Sequence, residues 1–148
     1  MAGPWSDDSG AMGIFTNRDA AERFTQADPF IRNGVVLTHR LREWREGLER
    51  HDAVAKGVPG VKFVLFYELS ERERELIPTH FPAHQEVALS FHARGALLAS
   101  GPFMDGDGAM DVFTTRDALE EFVSVDPFVL HGVVGRWHAR EWNDMLGG

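Results

Sequence analysis

The chain has 148 residues, 43% of them hydrophobic, a formal net charge of −8 and no cysteine. That length and apolar content suit one ordinary domain or two very small ones, and the lack of cysteine excludes disulfides, thiolate nucleophiles and sulfur-ligated metals. The acidic balance, with arginines interleaved among carboxylates, argues against a nucleic-acid surface; no long apolar run or secretory leader is visible, so no membrane contact is expected and a cytoplasmic location is the default.

The chain repeats itself. Shifted by 98 positions, Ala2 to Leu48 aligns with Ser100 to Leu146 without a gap, and 23 of the 47 pairs are identical. The shared frame runs G-P, an acidic Gly-rich turn, G-A-M, F-T-x-R-D-A, D-P-F, G-V-V and R-E-W. In chain order, residues 1–48 hold the tail of one strand and then a strand, a helix and a final strand. Residues 49–60, "ERHDAVAKGVPG", carry Gly, Pro and charge without an apolar period and read as a linker. Residues 61–148 form a complete unit.

Within that unit, "VKFVLFYEL" (61–69) is rich in β-branched and aromatic residues and predicts a mostly buried strand. "FPAHQEVALSFHARG" predicts a helix with Pro82 as its first residue and Gly95 as its C-terminal cap, its stripe formed by Val87, Ala88 and Phe91. "ALLASGP" (96–102) and "AMDVFT" (109–114) predict two strands joined by the turn "FMDGDG". "TRDALEEFVSV" predicts a helix capped near Thr115 or Asp117 and broken at Asp126-Pro127, and "VVGRWHAREW" (133–142) predicts the closing strand.

The order strand, helix, strand, strand, helix, strand predicts an α+β class and a ferredoxin-like split βαβ unit. There the first strand lies between the third and fourth, so the partial copy lacks the strand its own edges should pair with. Unpaired edges invite association. Residues 1–48 are therefore expected to be completed, in part, by the whole unit or by a neighbouring molecule; a start at an internal methionine of a longer tandem would account for the missing strand and helix.

His84 falls near the start of the predicted helix and shares a face with Val87 and Phe91. Asp105, in the hairpin turn, is the carboxylate to test against it, since a catalytic histidine needs an acid within hydrogen-bond reach. A packed core histidine and a turn-capping aspartate fit the same spacing. His80 and His84 have the i, i+4 spacing of a metal pair, but the residues between them lack the zinc-protease glutamate, and "DGDGAMD" departs from a calcium loop at its Gly and Glu positions; no metal is expected.

The motifs "PAHQEVAL", "LLASGPFMDGDG", "DPF" before a Gly and a valine pair, and "AREW", in that order, resemble the YCII-related proteins, small ferredoxin-like domains that pair as dimeric α/β barrels. The resemblance spans 61–142 and departs at Phe81, where an arginine is common. In that family a histidine of the first helix and an aspartate after the G-P of the second strand form the proposed catalytic pair, which implies His84 and Asp105 here. The partial copy keeps the aspartate as Asp7 and has no histidine partner.

The resemblance implies a lyase or isomerase in which His84 takes a proton from a small carbonyl or hydroxylated aromatic compound, with Phe103 and Phe128 lining an apolar site and no cofactor. It also implies a homodimer, unless the partial copy substitutes for the second subunit as an intrachain pseudo-dimer. The alternative is a non-catalytic module that binds a small molecule or serves in dimerisation.

Overall fold

A computed structural model of the chain describes residues 1–48 and 58–147. It is α+β. The partial copy contributes β1 (Ala2–Pro4), β2 (Ala11–Gly13), α1 (Arg18–Ala27) and α2 (Pro29–Arg32). The rest contributes β3 (Gly60–Glu68), α3 (Glu71–Arg74), α4 (Ile77–Ala93), β4 (Leu97–Pro102), β5 (Gly108–Phe113), α5 (Arg116–Val125), α6 (Pro127–Leu130) and β6 (Arg136–Asp144). The expected linker falls outside the described residues as far as position 57, and Gly60 already belongs to β3.

Four strands form one antiparallel sheet in the order β4-β5-β3-β6. β3 sits between β5 and β6 and pairs with β6 along all nine of its residues. Its alternation splits the interior in two. Leu65 and Tyr67 face the helices, joining Ala88 and Phe91 of α4, Phe122 of α5 and Phe128 of α6. Val64 and Phe66 face the other way, into a cluster with Met110, Val112, Phe103 and Trp142 that also takes in Trp5, Met12 and Trp44 of the partial copy. A strand covered on both faces needs the near-continuous apolar run that "VKFVLFYEL" supplies.

The first helix of the unit starts earlier than predicted. Ser70 and Glu73 make a reciprocal capping box that starts α3, and α4 follows from Ile77 with Pro78 in its first turn and Pro82 inside it. A proline near a helix start forfeits only one carbonyl's partner, a loss that packing of Ala88 and Phe91 offsets. His84 thus lies in the second to third turn of α4, away from its first amides. Gly95 takes the left-handed conformation expected of a cap, φ 75°. The last strand also shifts: Val133 and Val134 are buried in the loop before β6, which begins at Arg136.

The partial copy closes both edges of this sheet. On the β6 side, the Ser6 amide donates to Glu141 O (3.0 Å), the Met145 amide to Ala2 O (2.9 Å), and the Trp142 indole to Gly3 O (2.9 Å). On the β4 side, the Met104 amide donates to Glu43 O (2.9 Å), the Gly47 amide to Ser100 O (2.7 Å), and the Trp44 indole to Gly101 O (2.7 Å). Each bond of the first set maps onto one of the second under the 98-residue shift. The same shift relates the Trp5–Trp142 bridge to Phe103–Trp44, the ion pair Arg140–Asp7 to Arg42–Asp105, and the guanidinium of Arg140 over Trp5 to that of Arg42 over Phe103. The backbones approach so closely that a Cβ on Gly3 would lie 1.8 Å from Asn143 O and one on Gly101 1.9 Å from Arg45 O.

The final strand expected in the partial copy does not form: residues 38–46, equivalent to β6, hold no regular strand. Trp44 makes a single bridge there. The segment bonds the β4 edge at Glu43, Arg45 and Gly47, and among the described residues it has no counterpart of β3, the strand that β6 pairs with along its whole length. A buried ion pair reinforces the opposite junction: Asp144 accepts from Lys62 and from the Ala2 amide (2.9 Å). Burial pushes the Asp144 carboxyl up, but Lys62 and the backbone amides outweigh it and hold the group below its ordinary value.

Candidate functional site

The strongest polar constellation lies between the sheet and its helices. Tyr67 is the one hydroxyl in the apolar run of β3, and a buried hydroxyl needs a partner. The D-P-F turn between α5 and α6 supplies it. Asp126 caps α6 through the Phe128 amide (3.1 Å), accepts the Tyr67 hydroxyl at Oδ2 (2.5 Å) and meets His84 Nδ1 at Oδ1 (2.7 Å). Asp126 is completely buried. Burial first, then the charges of Asp126 and Asp111, raises the Tyr67 phenol well above its ordinary pKa, so it stays protonated and donates.

The His84 ring stacks flat on Phe128, centroids 3.9 Å apart and planes 3° from parallel, with Phe122 edge-on at 6.1 Å. The bond to the carboxylate assigns the proton to Nδ1. Nε2 makes no hydrogen bond with a described residue and is not a buried orphan; with 12% of the side chain exposed, that edge opens to solvent. Exposed Phe81 lies 6.2 Å from the His84 ring and 6.5 Å from Phe128, and His80, one turn earlier in α4, stacks on His131 at 4.5 Å.

The expected partner of His84 is therefore corrected. Asp105 stands in the hairpin turn, where Arg42 of the partial copy holds both its oxygens (2.9 and 3.0 Å). The Asp107 amide, and after it Arg42, keep its carboxyl below the usual range. The aspartate after G-P serves the contact between the two copies, as Asp7 does with Arg140. Of the two expected lining residues, Phe128 touches His84, whereas Phe103 belongs to the cluster on the opposite sheet face, under the Arg42 guanidinium (3.5 Å).

A cavity of about 470 Å³ opens on that opposite face, lined by Arg40, Arg42, Phe66, Phe103 and His138 among others, and not by His84. His138 stacks on Phe66 at 5.0 Å and lies 3.8 Å from Glu68. Among the described residues, no group of three or more His, Cys, Asp or Glu side chains could hold a metal ion, and no helix is long and apolar enough to cross a membrane.

Asp111 completes the buried polar set. It lies on β5 opposite Leu65 and Ser100, close enough to feel His84 and Asp126. Burial pushes its carboxyl up to about 6, the Ser100 hydroxyl and His84 drawing it back and Asp126 adding to the rise. No protein-family model, curated protein or solved structure matches the chain.

The partial copy provides an internal control for Asp126. Asp28, its equivalent, caps α2 through the Phe30 amide (2.8 Å) and makes no bond like those to Tyr67 and His84. Asp28→Ala is expected to cost about 1 kcal/mol, an ordinary cap. Asp126→Ala, which orphans the Tyr67 hydroxyl, His84 Nδ1 and an amide, is expected to cost at least about 3 kcal/mol. Urea unfolding of both variants checks this; equal losses would contradict the shared-carboxylate reading.

Asp111 makes a second test. Its folded pKa lies above the unfolded value of about 3.9, so the native state binds more protons between about pH 4 and 6 and loses stability as pH rises through that window, by up to about 3 kcal/mol. Asp111→Asn, which removes the charge, is expected to stabilise the protein at pH 7.5 and to give no gain near pH 4. A gain independent of pH, from urea midpoints across that range, would contradict it.

Proposed function

We propose that the chain is a small YCII-like enzyme of the lyase or isomerase type, with a ferredoxin-like unit whose first-helix histidine is a general base. The observation that carries this reading is the 2.7 Å contact from His84 Nδ1 to the buried carboxylate of Asp126, with Nε2 left open. Asp126 replaces Asp105 as the orienting acid. Its other bonds, from Tyr67 and the Phe128 amide, fix its position and leave it no freedom to turn away.

With Nδ1 protonated, Nε2 presents its lone pair to a substrate. It takes a proton from a carbon or hydroxyl next to a carbonyl or an aromatic ring, and the imidazolium that results is stabilised by Asp126 across the Nδ1–H bond. Returning that proton to a neighbouring carbon gives an isomerisation; expelling a leaving group from that carbon gives an elimination. Phe81 beside the ring and Phe128 against its face suit a flat, apolar substrate. The strand order β4-β5-β3-β6 supports the ferredoxin-like unit. The paired edge contacts support a reading in which residues 1–48 act as an abbreviated second barrel half within one chain.

A second reading has its own observation. The 470 Å³ cavity with Arg40, Arg42 and His138 at its walls lies away from His84, as in a module that binds a small molecule without turning it over.

Small keto acids and hydroxylated aromatics screened for thermal stabilisation separate the two readings, because a ligand of the native state raises its apparent stability. Ligands found this way are then followed in D₂O by NMR for carbon–hydrogen exchange. Wild type is expected to exchange, and His84→Gln to lose about 100-fold or more while still being stabilised by the ligand. Unchanged exchange in His84→Gln contradicts the enzyme. Stabilisation lost in Arg40→Ser and kept in His84→Gln, with no exchange in either, favours the binding module.

A further inference from the structure

The two copies carry the same apolar face in two states. Phe122, Phe128 and Val133 of the complete unit are 0, 9 and 0% exposed; their equivalents Phe24, Phe30 and Val35 are 44, 63 and 68% exposed. Local structure does not account for the difference. Phe15 meets Phe24 at 5.1 Å and 48°, and Phe113 meets Phe122 at 5.2 Å and 55°. Asn17 caps α1 as Thr115 caps α5, and the Val36 amide bonds Phe30 O as the Val134 amide bonds Phe128 O, both at 3.0 Å. The partial copy is built correctly and uncovered.

The complete unit shows what the cover consists of. Leu65 and Tyr67 of β3 lie under the face, and α4 packs over it with Phe91 edge-on to Phe122 (5.2 Å) and His84 flat on Phe128. The backbone agrees with the side chains. β5 pairs on both sides, with β4 and β3, while β2 among the described residues pairs with β1 alone. Under the 98-residue shift, the place of β3 between β5 and β6 becomes a place between β2 and the segment 38–46, each of which already bonds the complete unit or a strand that does, so an added strand would continue the intrachain interface.

A second copy of the chain cannot fill the gap by lending its own elements. Each molecule brings one β3–α4 pair and two faces that require one, so any exchange leaves as many faces bare as before.

The geometry points to the face formed by Phe24, Phe30 and Val35 as the docking site of a strand followed by a helix, patterned like residues 60–93 and belonging to a partner polypeptide outside these 148 residues. The strand enters antiparallel to β2. From the register of β3 on β5, its residue equivalent to Phe63 faces Phe15, its Leu65 equivalent Gly13 and its Tyr67 equivalent Ala11. The helix then covers Phe24 and Phe30 with an aromatic residue in the place of Phe91. This inference rests on residues other than His84 and Asp126 and is independent of the proposed reaction.

The probe is the chain's own sequence. Residues 58–98, joined directly to Met1 of the full chain, supply a strand and helix in the repeat's register. The fusion is expected to raise the thermal midpoint, to lower the fluorescence of the apolar-surface dye ANS several-fold and to slow hydrogen exchange at α1 and α2. The same fusion with Ser in the added copies of Leu65, Tyr67 and Phe91 is expected to show none of these gains. A fusion whose midpoint, dye binding and exchange match the unfused chain, with the added segment trimmed away by protease, would overturn the inference. So would an unfused chain that sediments as a dimer and becomes monomeric on Phe30→Ser with Val35→Ser, since that assigns the face to a second copy.

Discussion

One buried carboxylate holds the helical side of the complete unit to its sheet. Asp126 has no access to water and accepts from β3 through Tyr67, from α4 through His84 and from α6 through the Phe128 amide. An isolated buried charge is costly, and it is tolerated here because three donors saturate it. The same saturation has a chemical consequence. Because Asp126 cannot swing away, the His84 proton stays on Nδ1 and the ring presents one defined nitrogen to the outside. An orienting acid for the proposed base and a tie between sheet and helices thus coincide in one residue.

Duplication places identical sequence in unlike surroundings, and the two copies have taken different roles. Asp28 is a cap; Asp126 is a cap, an acceptor for a strand hydroxyl and the partner of a histidine. Asp7 and Asp105, by contrast, do the same work twice, each pairing with the arginine from the other copy's closing segment. Those two ion pairs, the two indole bonds to Gly3 and Gly101, and the matching backbone bonds protect both edges of the four-stranded sheet from outside pairing. The open apolar face of the partial copy lies elsewhere, on Phe24, Phe30 and Val35.

Much of the architecture was legible in the sequence. The unbroken apolar run of β3 marks a central strand, the Gly-rich turn between β4 and β5 marks a hairpin, and Thr115 and Gly95 mark helix ends because their side-chain and backbone preferences are local. What failed depends on contacts between distant residues. Pro82 reads as a helix start, yet the Ser70–Glu73 box and Pro78 begin the helical region earlier, and tertiary packing carries α4 through the proline. Residues 38–46 have the pattern of a strand and lack the neighbour that would make them one. The acid facing His84 is expected at Asp105 because the hairpin turn could aim it at the helix and the family resemblance implies the pair, while Asp126, beside a proline, reads as a helix breaker. Tyr67 was the available clue: a hydroxyl within an apolar strand requires an acceptor, and the D-P-F turn carries one.

The central claim is that Asp126 holds the proton of His84 on Nδ1 and leaves Nε2 free. Nitrogen-15 NMR of the imidazole rings near pH 8, with His84→Gln to identify the resonance, measures this directly. The account expects His84 to show a protonated Nδ1 and a bare Nε2, and expects that tautomer to lose its dominance in Asp126→Ala. A ring protonated at Nε2, or a tautomer indifferent to Asp126, would contradict it.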